Sequence, residues 1–210
     1  MTTNETSPLA EFARAASQEQ VARAAAALSA HGFAVEVLRD AGEARTRVRE
    51  LVPAGASVLT ASSETLRASG IDEDINGSGR YLSVREAVQS MDRSAKADDI
   101  RRLAATPDVI VGSVAAVTET GSLIVASASG SQLPAYSGGA PAIWIIGAQK
   151  IVPDMSTALR RLEEYALPRE DERAQRAYGQ PSAVNFMLTL NAEPRPGRAT
   201  VLLLQEAIGF

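Results

Sequence analysis

The chain has 210 residues, 45% hydrophobic and 22% charged, which is enough for one well-buried α/β domain and too few for two large ones. Its formal net charge of −4 and pI near 5.2 exclude a general nucleic-acid surface, which needs clustered basic residues. It has no cysteine and His31 is its single histidine, which excludes a disulfide framework, an iron–sulfur cluster held on its own thiolates and the usual zinc ligand sets.

In chain order, residues 1–8 are polar and are expected to be flexible, and 9–210 to form a single domain. Phe12, Ala16, Val21, Ala24, Ala25 and Leu28 recur at helical spacing between Leu9 and Ala30, with Ser17 and Gln20 placed as a capping box that restarts the helix. His31 is expected to help close that helix before Gly32. A strand over residues 33–38 follows, then a helix capped by Asp40 and running to Val52, then a strand over 56–60. The alternation of helix and strand predicts a mostly parallel sheet with helices on both faces. Asn76-Gly77-Ser78-Gly79-Arg80 contains Gly-x-Gly but follows no apolar strand, so it reads as a surface loop. Residues 81–84 form a short strand and 85–105 a helix broken near Ser94, with Asp98, Asp99, Arg101 and Arg102 on a solvated face.

Residues 106–150 carry four apolar runs separated by small and polar residues, Val109-Ile110-Val111, Ala115-Ala116-Val117, Leu123-Ile124-Val125 and Ile143-Trp144-Ile145-Ile146, and are read as the sheet centre. A helix opens at Val152-Pro153-Asp154 and runs to Ala166. The charged stretch 167–180 follows, and the runs at 184–188 and 200–204, joined by Glu193-Pro194-Arg195-Pro196-Gly197, read as a closing hairpin or edge pair. No run approaches the ~18 apolar residues of a membrane span, and the start lacks a signal-peptide layout. The expectation is a soluble, cytoplasmic protein that meets neither membrane nor nucleic acid.

Two stretches carry candidate chemistry. Glu119, within Thr118-Glu119-Thr120-Gly121, places a carboxylate in a turn between strands, as a solvated hairpin residue or as a charge that binds something. Ser62, Ser63 and Thr65 lie where a strand runs into a short helix. Ser62 or Ser63 is a simple N-cap there, or the hydroxyls and free N–H groups receive a carboxylate or phosphate. Glu119 is expected to face the crevice at the Ser62-Ser63 loop, with the glycine-rich segment 130–139 as a mobile cover that supplies backbone N–H groups.

The order of motifs then points to a family. Ser62-Ser63-Glu64-Thr65-Leu66-Arg67 with Gly70, Asp108 to Gly112, Ala115 to Leu123, Ile143 to Gly147 and Lys150-Ile151-Val152-Pro153-Asp154 together resemble the LUD-domain family of lactate utilisation proteins, of the lactate utilisation protein C type, with a motif core over 56–167. The resemblance implies the NagB/RpiA/CoA-transferase-like α/β fold. It implies a non-redox subunit supporting oxidation of L-lactate to pyruvate beside partner subunits that carry the iron–sulfur clusters, this chain itself holding no cofactor and no metal and binding a small organic acid, a phosphate or a partner, with a homo-oligomer open. The alternative is a stand-alone enzyme of the CoA-transferase/sugar-phosphate isomerase superfamily in which Glu119 is nucleophile or general base, with Ser62, Ser63, Thr65, Thr118, Thr120 and Gly121 around the ligand. This chain departs from the family at its C-terminal side: Gly179-Gln180-Pro181-Ser182-Ala183-Val184-Asn185 stands where a Gly-Pro-Ser-x-Thr-Ala-Asp segment is common, and no histidine follows.

Overall fold

The apolar runs pair into two sheets. In the computed structural model, which describes residues 8–92 and 94–210, the flexible segment expected over 1–8 lies outside the described residues up to residue 7. Helix α1 (Pro8–Ala13) precedes α2 (Gln18–Ala30), and the Ser17–Gln20 capping box forms in full: Ser17 N–H donates to Gln20 Oε1 at 3.0 Å and Gln20 N–H to Ser17 Oγ at 3.3 Å. His31 closes α2, its N–H reaching the Ala27 and Leu28 carbonyls. Strand β1 (Ala34–Leu38), helix α3 (Ala41–Leu51) and strand β2 (Ser57–Thr60) follow, with Asp40 capping α3 through Glu43 N–H at 3.0 Å. Next come α4 (Glu64–Ala68), α5 (Ile71–Gly77), β3 (Leu82–Ser83), α6 (Val84–Gln89) and α7 (Ala97–Ala105). Asn76 and Gly77 belong to α5, so the expected surface loop narrows to residues 78–80; Ile71 and Ile75, buried at i, i+4, are what extend the helix there.

Strands β4 (Val109–Gly112), β5 (Ala116–Thr118), β6 (Leu123–Ser127), β7 (Ala142–Gly147), β8 (Ile151–Val152), β9 (Phe186–Leu190) and β10 (Ala199–Leu204) complete the two sheets. The first has six strands in the order β1-β10-β7-β4-β2-β3, all parallel, and the second has four in the order β8-β5-β6-β9. This is the mostly parallel α/β architecture expected from the sequence. The stretch read as one sheet centre divides: β4 and β7 lie inside the large sheet, whereas β5 and β6 form an antiparallel hairpin in the small one. The closing hairpin does not form either. β9 pairs with β6, while β10 inserts between β1 and β7.

Alternation along β7 explains the layering. Trp144 and Ile146 point into a core shared with α2 and the inner face of the small sheet, and Ile143 and Ile145 into a second core with α3, α4 and α5. Full burial of a side chain the size of Ile145 contributes about 1.5–3 kcal/mol. A third core, with Phe12, Ala116, Ile124, Val152, Ala158 and Tyr165, joins the outer face of the small sheet to α1 and α8 (Met155–Arg161). Asp154 caps α8 through Thr157 N–H at 2.7 Å, and the helix continues through a π turn (Leu162–Ala166) into α9 (Leu167–Tyr178), so the charged stretch is helical. Segment 130–139, expected as a cover, is pinned to the first core by Tyr136, which is fully buried with its ring centre 5.4 Å from that of Trp144. Among the described residues no helix is long and apolar enough to cross a membrane.

Candidate functional site

Three neighbouring parallel strands, β7, β4 and β2, end at one edge of the large sheet, the place where open α/β sheets bind ligands in a crevice. After β2 the chain passes through Ser62 and Ser63 into α4; after β4 it reaches Ser113; after β7 a 3-10 turn (Ala148–Lys150) delivers Lys150. Lys150 stands between the buried strands β7 and β8 and is 2% exposed. Its Nζ lies 2.9 Å from Thr65 Oγ1, 3.0 Å from Ser113 Oγ and 3.0 Å from Val114 O. One residue from each strand end thus meets at a single amine.

A second cation stands beside it. Arg161, fully buried on α8, donates from Nε to Gln149 O at 3.2 Å and from Nη1 to Ala115 O, faces the Tyr165 ring at 5.0 Å, and leaves Nη2 without a partner. Among the described residues no carboxylate pairs with either cation. Burial, and then the charge of Arg161, push the Lys150 pKa well below the ordinary lysine value. Burial also lowers that of Arg161, to about 10, so the guanidinium still carries its charge at neutral pH.

The last residues of the chain lie over this crevice. Thr65 Oγ1 donates to Ile208 O at 3.3 Å, and the Gln149 side chain grips the same segment, donating from Nε2 to Ile208 O at 2.8 Å and to Gly209 O at 3.0 Å while accepting from Ile208 N–H at 3.2 Å. Gly209 has φ of +71°, and a Cβ on it would stand 2.3 Å from Thr65 Oγ1, so this approach requires glycine.

The sequence candidates fall into two groups. Thr65 is buried at the Lys150 site; Ser63 caps α4, accepting Leu66 N–H at 3.4 Å, and Ser62 is exposed at the rim. Glu119 is held on the other side of β5, where its Oε2 accepts Arg23 Nε at 2.6 Å and its Oε1 accepts Gln20 Nε2 at 3.0 Å. The Arg23 hydrogen bond, set against partial burial and aided by Gln20, keeps Glu119 below the usual carboxylate range and hence ionised. Thr118 Oγ1 and Thr120 Oγ1 lie 2.9 Å apart, and Ser122 N–H donates to Thr118 Oγ1 at 3.0 Å. Gly121, at φ of +87°, packs against the end of α2, where a Cβ would come within 2.7 Å of the Ala27 carbonyl carbon. None of the hydrogen bonds of Glu119 reaches Ser62, Ser63 or Thr65. Gln20 and Gln149 both line a separate cleft of about 450 Å³ between α1, α2 and α8.

Sequence reasoning did not single out Lys150, Ser113 or Arg161. A signal for Lys150 was present: it is one of two lysines among 21 basic residues, and it sits between the apolar runs 143–146 and 151–152. Ser113 and Arg161 had no such mark, because one is a small residue in a loop and the other an arginine in an arginine-rich chain.

Comparison with known proteins agrees with this architecture. A DUF162 family protein from Deinococcus radiodurans superposes with a TM-score of 0.54 at 13% identity, covering 89% of this chain and 96% of that one, a likeness that concerns the fold. No curated protein matches the chain. A family model, the LUD domain, matches residues 21–204 and so includes every strand of both sheets together with Thr65, Ser113, Lys150 and Arg161. The chain belongs to the LUD domain family.

Proposed function

We propose that this LUD-domain protein is a non-redox component of lactate-related organic-acid metabolism, of the lactate utilisation protein C type, and that it binds a small carboxylate in the crevice at the ends of β2, β4 and β7. One observation carries the reading: Lys150 and Arg161 are buried side by side with no acidic partner among the described residues. A buried charge is costly unless paired, so the Arg161 guanidinium favours an incoming anion of modest size, and a carboxylate beside Lys150 favours its protonation. Thr65 and Ser113 supply hydroxyls to orient it, and the Ser62-Ser63 loop forms the rim. Family membership supports the lactate-related role. The chain has no cysteine, so iron–sulfur chemistry would reside on partner subunits.

The test is calorimetry of the purified chain with lactate, pyruvate, an acyl-CoA and a sugar phosphate, repeated with Lys150→Met. Binding of a hydroxy or oxo acid that disappears in the variant supports the reading; binding unaltered in the variant places the ligand elsewhere.

A second reading keeps Glu119 as nucleophile or general base of a stand-alone enzyme of the CoA-transferase/sugar-phosphate isomerase superfamily. What favours it is the ionised state of Glu119, held by Arg23 and Gln20 beside the cleft that Gln20 and Gln149 line. Turnover of acyl-CoA or sugar phosphate that is lost in Glu119→Gln, with binding intact, would support it.

A further inference from the structure

We infer that Ser113 and Lys150 form a nucleophile and base pair for acyl transfer from a small ester or thioester, an activity beyond carboxylate binding that uses the same crevice and rests on its being the binding site. The argument starts from protons. Thr65 Oγ1 spends its hydrogen on Ile208 O and therefore faces Lys150 as an acceptor, and Val114 O accepts only. Ser113 Oγ lies 3.0 Å from Nζ and has no other hydrogen-bond partner among the described residues. A neutral amine has two hydrogens and one lone pair. An ammonium would donate to all three oxygens; the neutral amine donates to Thr65 and Val114 O and turns its lone pair to Ser113 Oγ, 3.0 Å away, where it can take the hydroxyl's hydrogen.

The neutral form is also what the surroundings select. Lys150 is fully buried, and the charged group facing it is Arg161 from α8; Thr65 from α4 and Ser113 and Val114 from the β4–β5 loop contribute hydroxyls and a carbonyl. A desolvated lysine beside another cation is a standard way to obtain an amine base at neutral pH. Ser113 is only partly buried, and it lies on the more open side of the fully buried amine. Arg161 is bonded to the carbonyls of Gln149, next to Lys150, and of Ala115, two residues after Ser113, so its charge adds positive potential near the pair that would favour a developing oxyanion.

The step balances with water as co-reactant. Ser113 Oγ bonds to the carbonyl carbon while its proton passes to Lys150 Nζ. The bond from carbon to the leaving oxygen or sulfur then breaks, and Nζ returns the proton to that leaving group. Water next attacks the acyl-serine, Nζ takes its proton, the acyl–Oγ bond breaks, and Oγ regains a hydrogen as the carboxylic acid departs. The acid produced is itself a small carboxylate, the class of ligand the crevice favours.

The experiment is covalent labelling of the full chain with an alkyl fluorophosphonate across pH 5–10, the adduct being located by peptide mass spectrometry. The expected result is an adduct on Ser113 that forms faster as pH rises and then levels off below the ordinary lysine range. It should be absent in Ser113→Ala and slowed at least tenfold in Lys150→Met, with p-nitrophenyl acetate hydrolysis lost in parallel. Ser113→Cys, which changes one atom at a partly exposed position, should remain alkylatable and serves as the folded control. Absence of an adduct on Ser113 in the wild-type chain, or labelling at an equal rate in Lys150→Met, overturns the pair. Calorimetry of pyruvate with the wild-type chain separates the two claims: carboxylate binding without an adduct on Ser113 sinks this inference alone, and absence of binding sinks the crevice as well.

Discussion

Arg23 on α2 reaches across 2.6 Å to Glu119 in the β5–β6 turn, and with Gln20 it ties the hairpin of the small sheet to the helix that packs beneath it. The carboxylate that the sequence leaves open as solvated or liganded therefore has two partners inside its own chain. Its folded pKa is depressed chiefly by the Arg23 hydrogen bond. A depressed carboxylate contributes stability that is present above its unfolded pKa and is lost as pH falls through the folded one. Arg23→Ala should raise the Glu119 pKa toward the ordinary range, read by NMR titration of the side-chain carboxyl. The melting difference between the two proteins should be present at pH 7 and vanish in strong acid; an unshifted titration would show that Arg23 does not set the charge state.

Trp144 tests the first core. Its ring stands at 6.2 Å and nearly edge-on to Phe33, and 5.4 Å from Tyr136, and it is fully buried. Truncation leaves a cavity between the large sheet, α2 and the small sheet, so Trp144→Ala should cost about 3–5 kcal/mol. For a chain of this length that is a fall in Tm of roughly 6–20 °C. A variant melting within a degree or two of wild type would show that the neighbouring elements collapse into the space.

The parts of the fold legible in the sequence are those dictated by local chemistry. Ser17 with Gln20, Asp40 and Asp154 act as the caps their side chains suggest, and the run at 143–146 is buried as its β-branched composition requires. What escaped is decided by distant partners. The turn Glu193–Gly197 has the residues of a hairpin, yet Glu193 is buried against Arg198 and its N–H donates to His31 O at 2.8 Å, so the chain crosses there from the small sheet to the large one. Likewise nothing local distinguishes Ser113 from any loop serine. Its meeting with Lys150 depends on β4 and β7 being neighbours, which the order of runs along the chain does not state.

The C-terminal segment over the crevice gives a prediction about access. Gly209 lies so close to Thr65 that any side chain there must displace the segment. Gly209→Val should release the Ile208 contacts of Thr65 and Gln149 and open a path to Lys150. Acetylation by acetic anhydride, followed by mass spectrometry, should modify exposed Lys96 readily in both proteins and Lys150 at least tenfold faster in the variant. Equal protection of Lys150 in both would mean that the strands, and not the segment, close the site.

The charge state of Lys150 yields the sharpest dependence on pH. Its folded pKa is lowered, first by burial and then by Arg161, so between the folded and unfolded values the folded protein holds less of this proton than the unfolded chain does. Where the unfolded state binds more protons, stability rises with pH. The penalty is full below the folded pKa, shrinks between the two values and is gone above the ordinary lysine range. Lys150→Met, which removes the titration, should flatten that rise, so its melting temperature gains least on wild type near pH 10. Ligand binding reverses the shift, because a carboxylate beside Nζ favours the ammonium. Pyruvate or lactate should therefore bind with uptake of up to one proton, and affinity should fall by up to about tenfold per pH unit between the free and bound pKa values. Calorimetry at pH 8 in HEPES and in Tris, whose ionisation enthalpies differ, measures that uptake directly. Binding heats identical in the two buffers would mean that the ligand does not change the protonation of Lys150, and that the anion is held by Arg161 alone or lies outside the crevice.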